Sequence, residues 1–223
     1  MRPALDPTLY LVTDTVLCRP RPVADVVRAA VAGGVTAVQV RDKTASPAEL
    51  LELTRSVRAA LDGHDSVRLI VNDDAEVALR ADADGLHVGQ DDLPAAAARA
   101  LLGPDRLLGI SVSSAADLAA VLALPAGTVD LVGLSPLWGT PTKPDAAPEL
   151  GLDGVRELAT TARAAELRAV AIGGIGPDRA AAAAATGVDG VCVVSALCTA
   201  PDPAAAAREL RAEIARGRTA VRS

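Results

Sequence analysis

The chain has 223 residues, half of them hydrophobic, with a net charge of −6 and almost no aromatic side chains: no Phe, one Tyr and one Trp. That length buries roughly 70% of the unfolded surface, and the apolar content excludes a disordered chain. Negative charge without stacking rings argues against a nucleic-acid partner, and no apolar stretch reaches the ~18 residues of a membrane span. Short apolar runs at 9–14, 35–40, 67–71, 85–88, 107–111, 129–134, 168–173 and 190–194 predict strands, eight in all. They are near-continuously apolar, as parallel strands covered on both faces are.

Ala-rich helical stretches separate these runs. Ser46-Pro47-Ala48-Glu49 reads as a capping box with Pro at the first helical position, and Gly176-Pro177-Asp178 opens another helix in the same way. One pattern recurs at GGVTAVQV (33–40), ADADGLHV (81–88), GTVDLVGL (127–134) and TGVDGVCVV (186–194): a turn with Gly or Asp, then a strand. Eight strand–helix units predict an α/β protein, a single (β/α)8 TIM barrel spanning 1–223, with 216–223 as a flexible tail. A doubly wound sheet is the alternative, and it would usually carry G-x-G-x-x-G after its first strand; LYLVTDTVLCRP has no glycine. The long connection 135–151, rich in Pro, Thr and Gly, has the length of a functional loop and suits a lid. The N-terminus lacks a charged-then-apolar leader pattern, and Cys18, Cys192 and Cys198 lack metal-ligand spacing, so the expected compartment is the cytoplasm. Cys192 reads as a small buried hydrophobe. The oligomeric state is left open, a homo-oligomer included.

Barrel enzymes work at the C-terminal ends of their strands. Those ends carry Gln39, Arg41 and Lys43; Asn72, Asp73 and Asp74; His87, Gln90, Asp91 and Asp92; Ser111 and Ser113; Thr140, Thr142 and Lys143; Gly173-Gly174-Ile175-Gly176; and Ser195. Cations and hydroxyls suit phosphate oxygens, whereas carboxylates do so only with a divalent ion between. Mg²⁺ takes one or two carboxylates plus substrate phosphates, and Asp73 and Asp92, from adjacent strands, are the candidate pair, one ion per site. Asp74 reads instead as a helix cap. Gly173-Gly174 and Ser195, at the loops after strands seven and eight, read as a second, metal-free anion site. His64 reads as surface and His87 as an interior histidine, so positioning and electrostatics must carry the chemistry. A diphosphate held by Mg²⁺, Arg and Lys is an activated leaving group, and a second substrate would capture the carbon it leaves.

The motifs LYLVTD, QVRDK (39–43), VNDD (71–74), GLHVGQDD (85–92), GIS (109–111), GTPTKPD (139–145), AIGGI (171–175) and DGVCVVSA (189–196), in that order over nearly the whole chain, resemble the thiamine phosphate synthase family. The resemblance implies a (β/α)8 barrel that joins 4-amino-2-methyl-5-hydroxymethylpyrimidine diphosphate to 4-methyl-5-(2-phosphoethyl)thiazole, or its carboxylated form, giving thiamine phosphate and pyrophosphate by a dissociative route. It implies that Gln39, Val40, Arg41, Asp42 and Lys43, with Asn72, Ser111 and Lys143, contact the pyrimidine diphosphate, and that Asp73 and Asp92 ligate Mg²⁺. Thr140, Pro141 and Thr142, with Gly174, Val194 and Ser195, would hold the thiazole phosphate. Arg41, Lys43, Lys143 and Ser111 are the candidate catalytic groups. Two rivals remain: a thiazole tautomerase, which relies on a histidine where this chain has Ser113, and a non-catalytic barrel that binds a phosphorylated ligand.

Overall fold

The computed structural model describes residues 2–139 and 147–220. In chain order the elements are β1 (Leu9–Val12), α1 (Thr15–Cys18), α2 (Val23–Ala32), β2 (Ala37–Val40), α3 (Pro47–Ala60), β3 (Arg68–Asn72), α4 (Ala75–Arg80), β4 (Gly85–Val88), α5 (Ala95–Leu102), β5 (Leu107–Val112), α6 (Ala115–Leu122), β6 (Leu131–Leu134), α7 (Gly151–Ala164), β7 (Arg168–Ile172), α8 (Pro177–Ala184), β8 (Gly190–Val193), α9 (Ser195–Cys198) and α10 (Pro203–Ala220). Each of the eight apolar runs coincides with a strand, β3 and β5 running one residue past the predicted end. All are parallel, each pairs with its neighbours in sequence, and β8 closes against β1. The fold is the (β/α)8 barrel.

The local signals act as expected. Ser46 and Glu49 exchange the two bonds of a capping box at α3, the Ser46 amide donating to Glu49 Oε2 over 2.8 Å. Asp74 caps α4 by accepting from the Val77 amide at 2.8 Å. α8 starts at Pro177 after Gly176.

Alternation along the strands sorts the side chains into two cores. Leu9, Leu11, Val38, Val40, Leu69 and Val71 belong to the shell between barrel and helices. Tyr10, Val12, Ala37, Ile70, Leu107, Leu131, Val170 and Cys192 fill the barrel interior, where Leu5 joins them. Arg168 Nη1 and Arg68 Nε donate to the carbonyls of Leu5 and Ala4, both at 2.7 Å, tying the N-terminal segment across the floor.

At that floor the recurring turn pattern acquires a cause. Thr36, Asp84, Asp130 and Asp189 immediately precede β2, β4, β6 and β8. Thr36 Oγ1 accepts the Leu9 amide at 3.1 Å, and the three carboxylates accept the amides of Leu69, Leu108 and Ala169 at 2.8 Å. Each backbone N–H in turn donates to the carbonyl of the same partner residue. One side chain therefore fixes each odd strand against the next even one. This use of Thr36 and Asp130 in lead-in turns also explains why β2 and β6 start two residues inside the predicted runs.

The expected tail from Arg216 requires a correction. α10 continues to Ala220, and Gly217 is buried on α8, where a Cβ would stand 2.1 Å from the Ala181 carbonyl oxygen. Close helix packing thus orders residues 216–220, and 221–223 lie outside the described residues.

Asp130 also binds Arg2 at 2.6 Å and Arg99 at 2.7 Å. Asp130→Ala removes the carboxylate partner of Arg2 and Arg99, which keep backbone carbonyls, and the acceptor of the Leu108 amide. It should cost about 3 kcal/mol, a fall in Tm of about 6–12 °C in a chain of this size. Calorimetric melting checks it; a shift within error would show the clamp to be dispensable.

Candidate active site

The strand ends converge on a cavity of about 300 Å³ at the C-terminal mouth of the barrel. Its acidic side begins where β3 stops. The Asp73 amide donates to the His87 carbonyl at 2.8 Å, and the Asp74 amide turns back to the Asn72 carbonyl at 2.8 Å. This tight turn holds Asp73 at φ +64°, a left-handed conformation that costs an L-residue of order 1–3 kcal/mol and marks functional sites. Asp92 arrives on the loop after β4, its Oδ2 held by the Gly89 amide at 2.8 Å.

The Asp73 and Asp92 carboxyl groups stand within hydrogen-bonding reach of one another. Burial pushes the Asp73 carboxyl above its ordinary range; the neighbouring Asp92 adds to this, and the Lys43 ammonium opposes it. Lys43 Nζ lies 2.7 Å from Asp73 Oδ2. Arg41 sits alongside, its Nη1 3.7 Å from Asp14 Oδ2 and its backbone amide donating to Thr13 Oγ1 at 3.0 Å. Two acids and two cations thus share one side of the mouth.

The floor is the barrel's inner face. Gln39 is buried, and its Nε2 donates to the Tyr10 hydroxyl at 3.2 Å, which leaves the amide carbonyl as the acceptor for a ligand. His87 Nε2 and Ser111 Oγ are 3.1 Å apart. The imidazole occupies space left by two glycines: a Cβ on Gly109 would come within 2.4 Å of His87 Nδ1, and one on Gly133 within 3.3 Å of Cε1. Tyr10, Val170, Ile172 and Cys192 complete an apolar base.

The opposite side is neutral. Gly173 and Gly174 hold φ +113° and +63°, conformations open to glycine. Among the described residues, the amides of Gly174 and Ile175 donate to no protein acceptor. Val194 and Ser195 line the same rim at the start of α9.

Gln39, Arg41, Lys43, Asn72, Asp73, Asp92, Ser111, Gly174, Val194 and Ser195 all line the cavity. Val40 and Asp42 do not. The Val40 side chain is buried in the outer shell, and Asp42 Oδ1 accepts from Thr44 and Ala45 in its own turn. Those hydrogen bonds, with one from Thr15, outweigh burial and hold the Asp42 carboxyl below the usual range. Thr140, Pro141, Thr142 and Lys143 lie outside the described residues. Ser113 faces the cavity, with its hydroxyl and amide both donating to Asp117 at 2.8 Å. The sequence reading missed Tyr10, Ile172 and Cys192 as cavity residues; their signal was the inward half of the strand alternation.

A barrel whose mouth pairs an acidic, cation-flanked side with a glycine turn of open amides defines the class: a TIM-barrel enzyme acting on phosphorylated small molecules. The profile of the thiamine monophosphate synthase family matches residues 9–197. The thiamine-phosphate synthase of Moorella thermoacetica is 43% identical over 94% of this chain and 97% of that protein. The one from Solidesulfovibrio magneticus is 47% identical over 98% and 100%. Among solved structures, the thiamine phosphate pyrophosphorylase of Pyrococcus furiosus superposes with a TM-score of 0.84 at 33% identity, over 96% of this chain and 98% of that one. The chain belongs to the thiamine monophosphate synthase family and is a transferase of thiamine biosynthesis.

Because folded Asp73 keeps its proton to a pH above its ordinary 3.8, the folded state binds more protons than the unfolded one between those values, and stability falls as pH rises through them. Asp73→Asn should therefore raise the Tm of the metal-free protein at pH 7, with the gain shrinking as pH approaches 3.8. Melting curves in EDTA across pH decide this. A lower Tm at pH 7 would show that the ion pair with Lys43 outweighs the strain between the acids.

Proposed function

We propose that this chain is a thiamine phosphate synthase that joins 4-amino-2-methyl-5-hydroxymethylpyrimidine diphosphate to 4-methyl-5-(2-phosphoethyl)thiazole, or its carboxylated form, releasing pyrophosphate. The reading is carried by one arrangement: two carboxyl groups in mutual contact beside Lys43 and Arg41, facing a glycine turn with open amides across a single cavity. The first side fits a diphosphate only if something neutralises the acids. The second fits a phosphate monoester as it stands.

One Mg²⁺ suits the donor set. Asp73 and Asp92 supply two hard oxygen ligands, and no group of three His, Cys, Asp or Glu is assembled among the described residues, so water and diphosphate would complete the shell. Bound there, the ion would offset the charge of the departing diphosphate.

The protein's own groups account for the rest. Lys43 and Arg41 would hold the diphosphate oxygens as negative charge develops on them. The Gln39 carbonyl, turned by Tyr10, and the Asn72 amide would fix the neutral pyrimidine ring, and Ser111, held by His87, would add a hydroxyl. The apolar base under the ring would exclude water from a cationic pyrimidinylmethyl group until the thiazole nitrogen reaches it. The amides of Gly174 and Ile175, with Ser195, would receive the thiazole phosphate. Family resemblance assigns Lys143 to the diphosphate and Thr140 to Thr142 to the thiazole phosphate. Ser113, already committed to Asp117, offers no acid–base group for the tautomerase alternative.

Pyrophosphate release with both substrates, each substrate alone, and both in EDTA tests the reaction; release that persists in EDTA refutes the metal role. Asp92→Ala should lower turnover at least ~10²-fold, since metal stabilisation of charge supplies several kcal/mol. Ser195→Asp should raise KM for the thiazole phosphate by like-charge repulsion and leave KM for the pyrimidine diphosphate near wild type. An unchanged thiazole KM would place that phosphate elsewhere.

A further inference from the structure

The Gly173–Gly174 turn does not hold itself in place. Residues 135–139 run across it as a strap. The Leu137 amide donates to the Ile172 carbonyl at 2.8 Å and the Trp138 amide to the Gly173 carbonyl at 3.2 Å. Contact is close enough that a Cβ on Gly173 would meet Pro136 Cβ at 2.9 Å, and one on Gly174 would meet Trp138 Cβ at 3.0 Å. The strap is tied back to the start of α7: the Gly139 amide donates to Glu149 Oε2 at 3.0 Å, and the Leu150 amide to the Pro136 carbonyl at 2.8 Å.

One side chain joins the strap, the turn and α8. Arg179 Cζ stands 5.2 Å from the centroid of the Trp138 ring. Its Nη1 donates to the Gly174 carbonyl at 3.2 Å, and its Nε lies 3.8 Å from Asp178 Oδ2. A guanidinium placed over an indole face is attracted by the ring quadrupole and pre-oriented for the carbonyl.

The consequence for the site follows from peptide geometry. The Gly174 carbonyl and the Ile175 amide belong to one planar trans peptide and point in opposite directions. Holding the carbonyl outward on Arg179 therefore aims the Ile175 N–H into the cavity, which Ile175 lines. Without that bond this peptide has more room to turn about ψ of Gly174, a torsion that no Cβ restricts. The Arg179 side chain is about half exposed, whereas α8 is anchored independently by buried Ala180, Ala183 and Ala184. The bond is thus peripheral to the fold and direct in its effect on the turn.

We infer that Arg179 and Trp138 form a latch that orients the Gly174–Ile175 peptide for a phosphate monoester, which makes Arg179 a positioning residue for that subsite. The inference rests on reading the glycine turn as the phosphate subsite. The assignment distinguishes Arg179 from a surface cation, because its effect requires the ring of Trp138.

Calorimetric titration with inorganic phosphate in EDTA, which silences a metal-dependent diphosphate site, tests the latch in wild type, Arg179→Ala, Trp138→Ala and the double variant. Each single change should weaken phosphate binding about 5-fold, and the double variant should be no weaker than the worse single one. Trp138→Phe, which keeps a ring face, should recover most of the loss; Arg179→Ala, at a half-exposed side chain, should melt within about 3 °C of wild type, and the Trp138 variants, whose ring is partly buried against the core, are titrated well below their own Tm. In turnover, the single variants should raise KM for the thiazole phosphate with kcat and the pyrimidine diphosphate KM unchanged. Undiminished phosphate affinity in Arg179→Ala, losses that multiply in the double variant, losses that track Tm, or a wild type that binds no phosphate at millimolar concentration would each overturn the latch. Failure of the proposed reaction is seen separately, as a wild type that binds phosphate and releases no pyrophosphate from the two substrates.

Discussion

The register of β3 against β4 governs the mouth of this barrel. Asn72 pairs with His87, and one step on, the Asp73 amide reaches the His87 carbonyl. Because side chains alternate faces with a period of two, a slip of one residue would turn Asn72 into the outer shell and carry Asp73 away from Asp92. That register is set at the other end of the same strands, where Asp84 accepts the Leu69 amide and is itself bound by Arg58 at 3.4 Å and Arg68 at 3.8 Å. A carboxylate on the barrel floor thus decides whether two carboxylates at the mouth meet. The same device recurs before β2, β6 and β8, so every odd strand is indexed to its even neighbour.

Given that frame, the interior explains the cavity. A chain without Phe fills its outer shell with Leu, Val and Ala and spends its only Tyr on the inner face. Glycines at 109 and 133 leave room for one flat imidazole, and the rest of the interior above it stays open. Larger residues at those two positions would displace His87 and with it the orientation of Ser111. The scarcity of bulky side chains, evident from composition, is what lets a barrel this small keep a pocket.

Much of this was legible in the sequence because it is written locally. Continuous apolar runs gave the strands, Ser46 to Glu49 and Gly176-Pro177 gave helix starts, and polar residues at strand ends gave most of the cavity lining. What was not legible depends on direction or distance. Val40 and Asp42 sit inside a contiguous motif, yet alternation turns one outward and a local turn consumes the other. The α10 terminus looks like a tail until Gly217 meets Ala181. The contact of Arg179 with Trp138 joins α8 to the strap after β6, whose proximity only the closed barrel creates.

The two sides of the mouth solve the same electrostatic problem in different ways. A chain of net charge −6 repels polyanions at long range, so each of the two proposed substrate anions would need local compensation. On the side of β2 to β4, compensation comes from formal charges, and the acids among them raise one another's energy until a cation or a proton intervenes. On the side of β7 and β8 it comes from peptide dipoles, which carry no net charge and need no ion, but which work only if the peptides point inward. On the proposed reading the first side would respond to a divalent ion and to pH, and the second to backbone orientation. That difference explains why the glycine turn, the less charged of the two, is the one that a neighbouring strap and a stacked guanidinium hold in place.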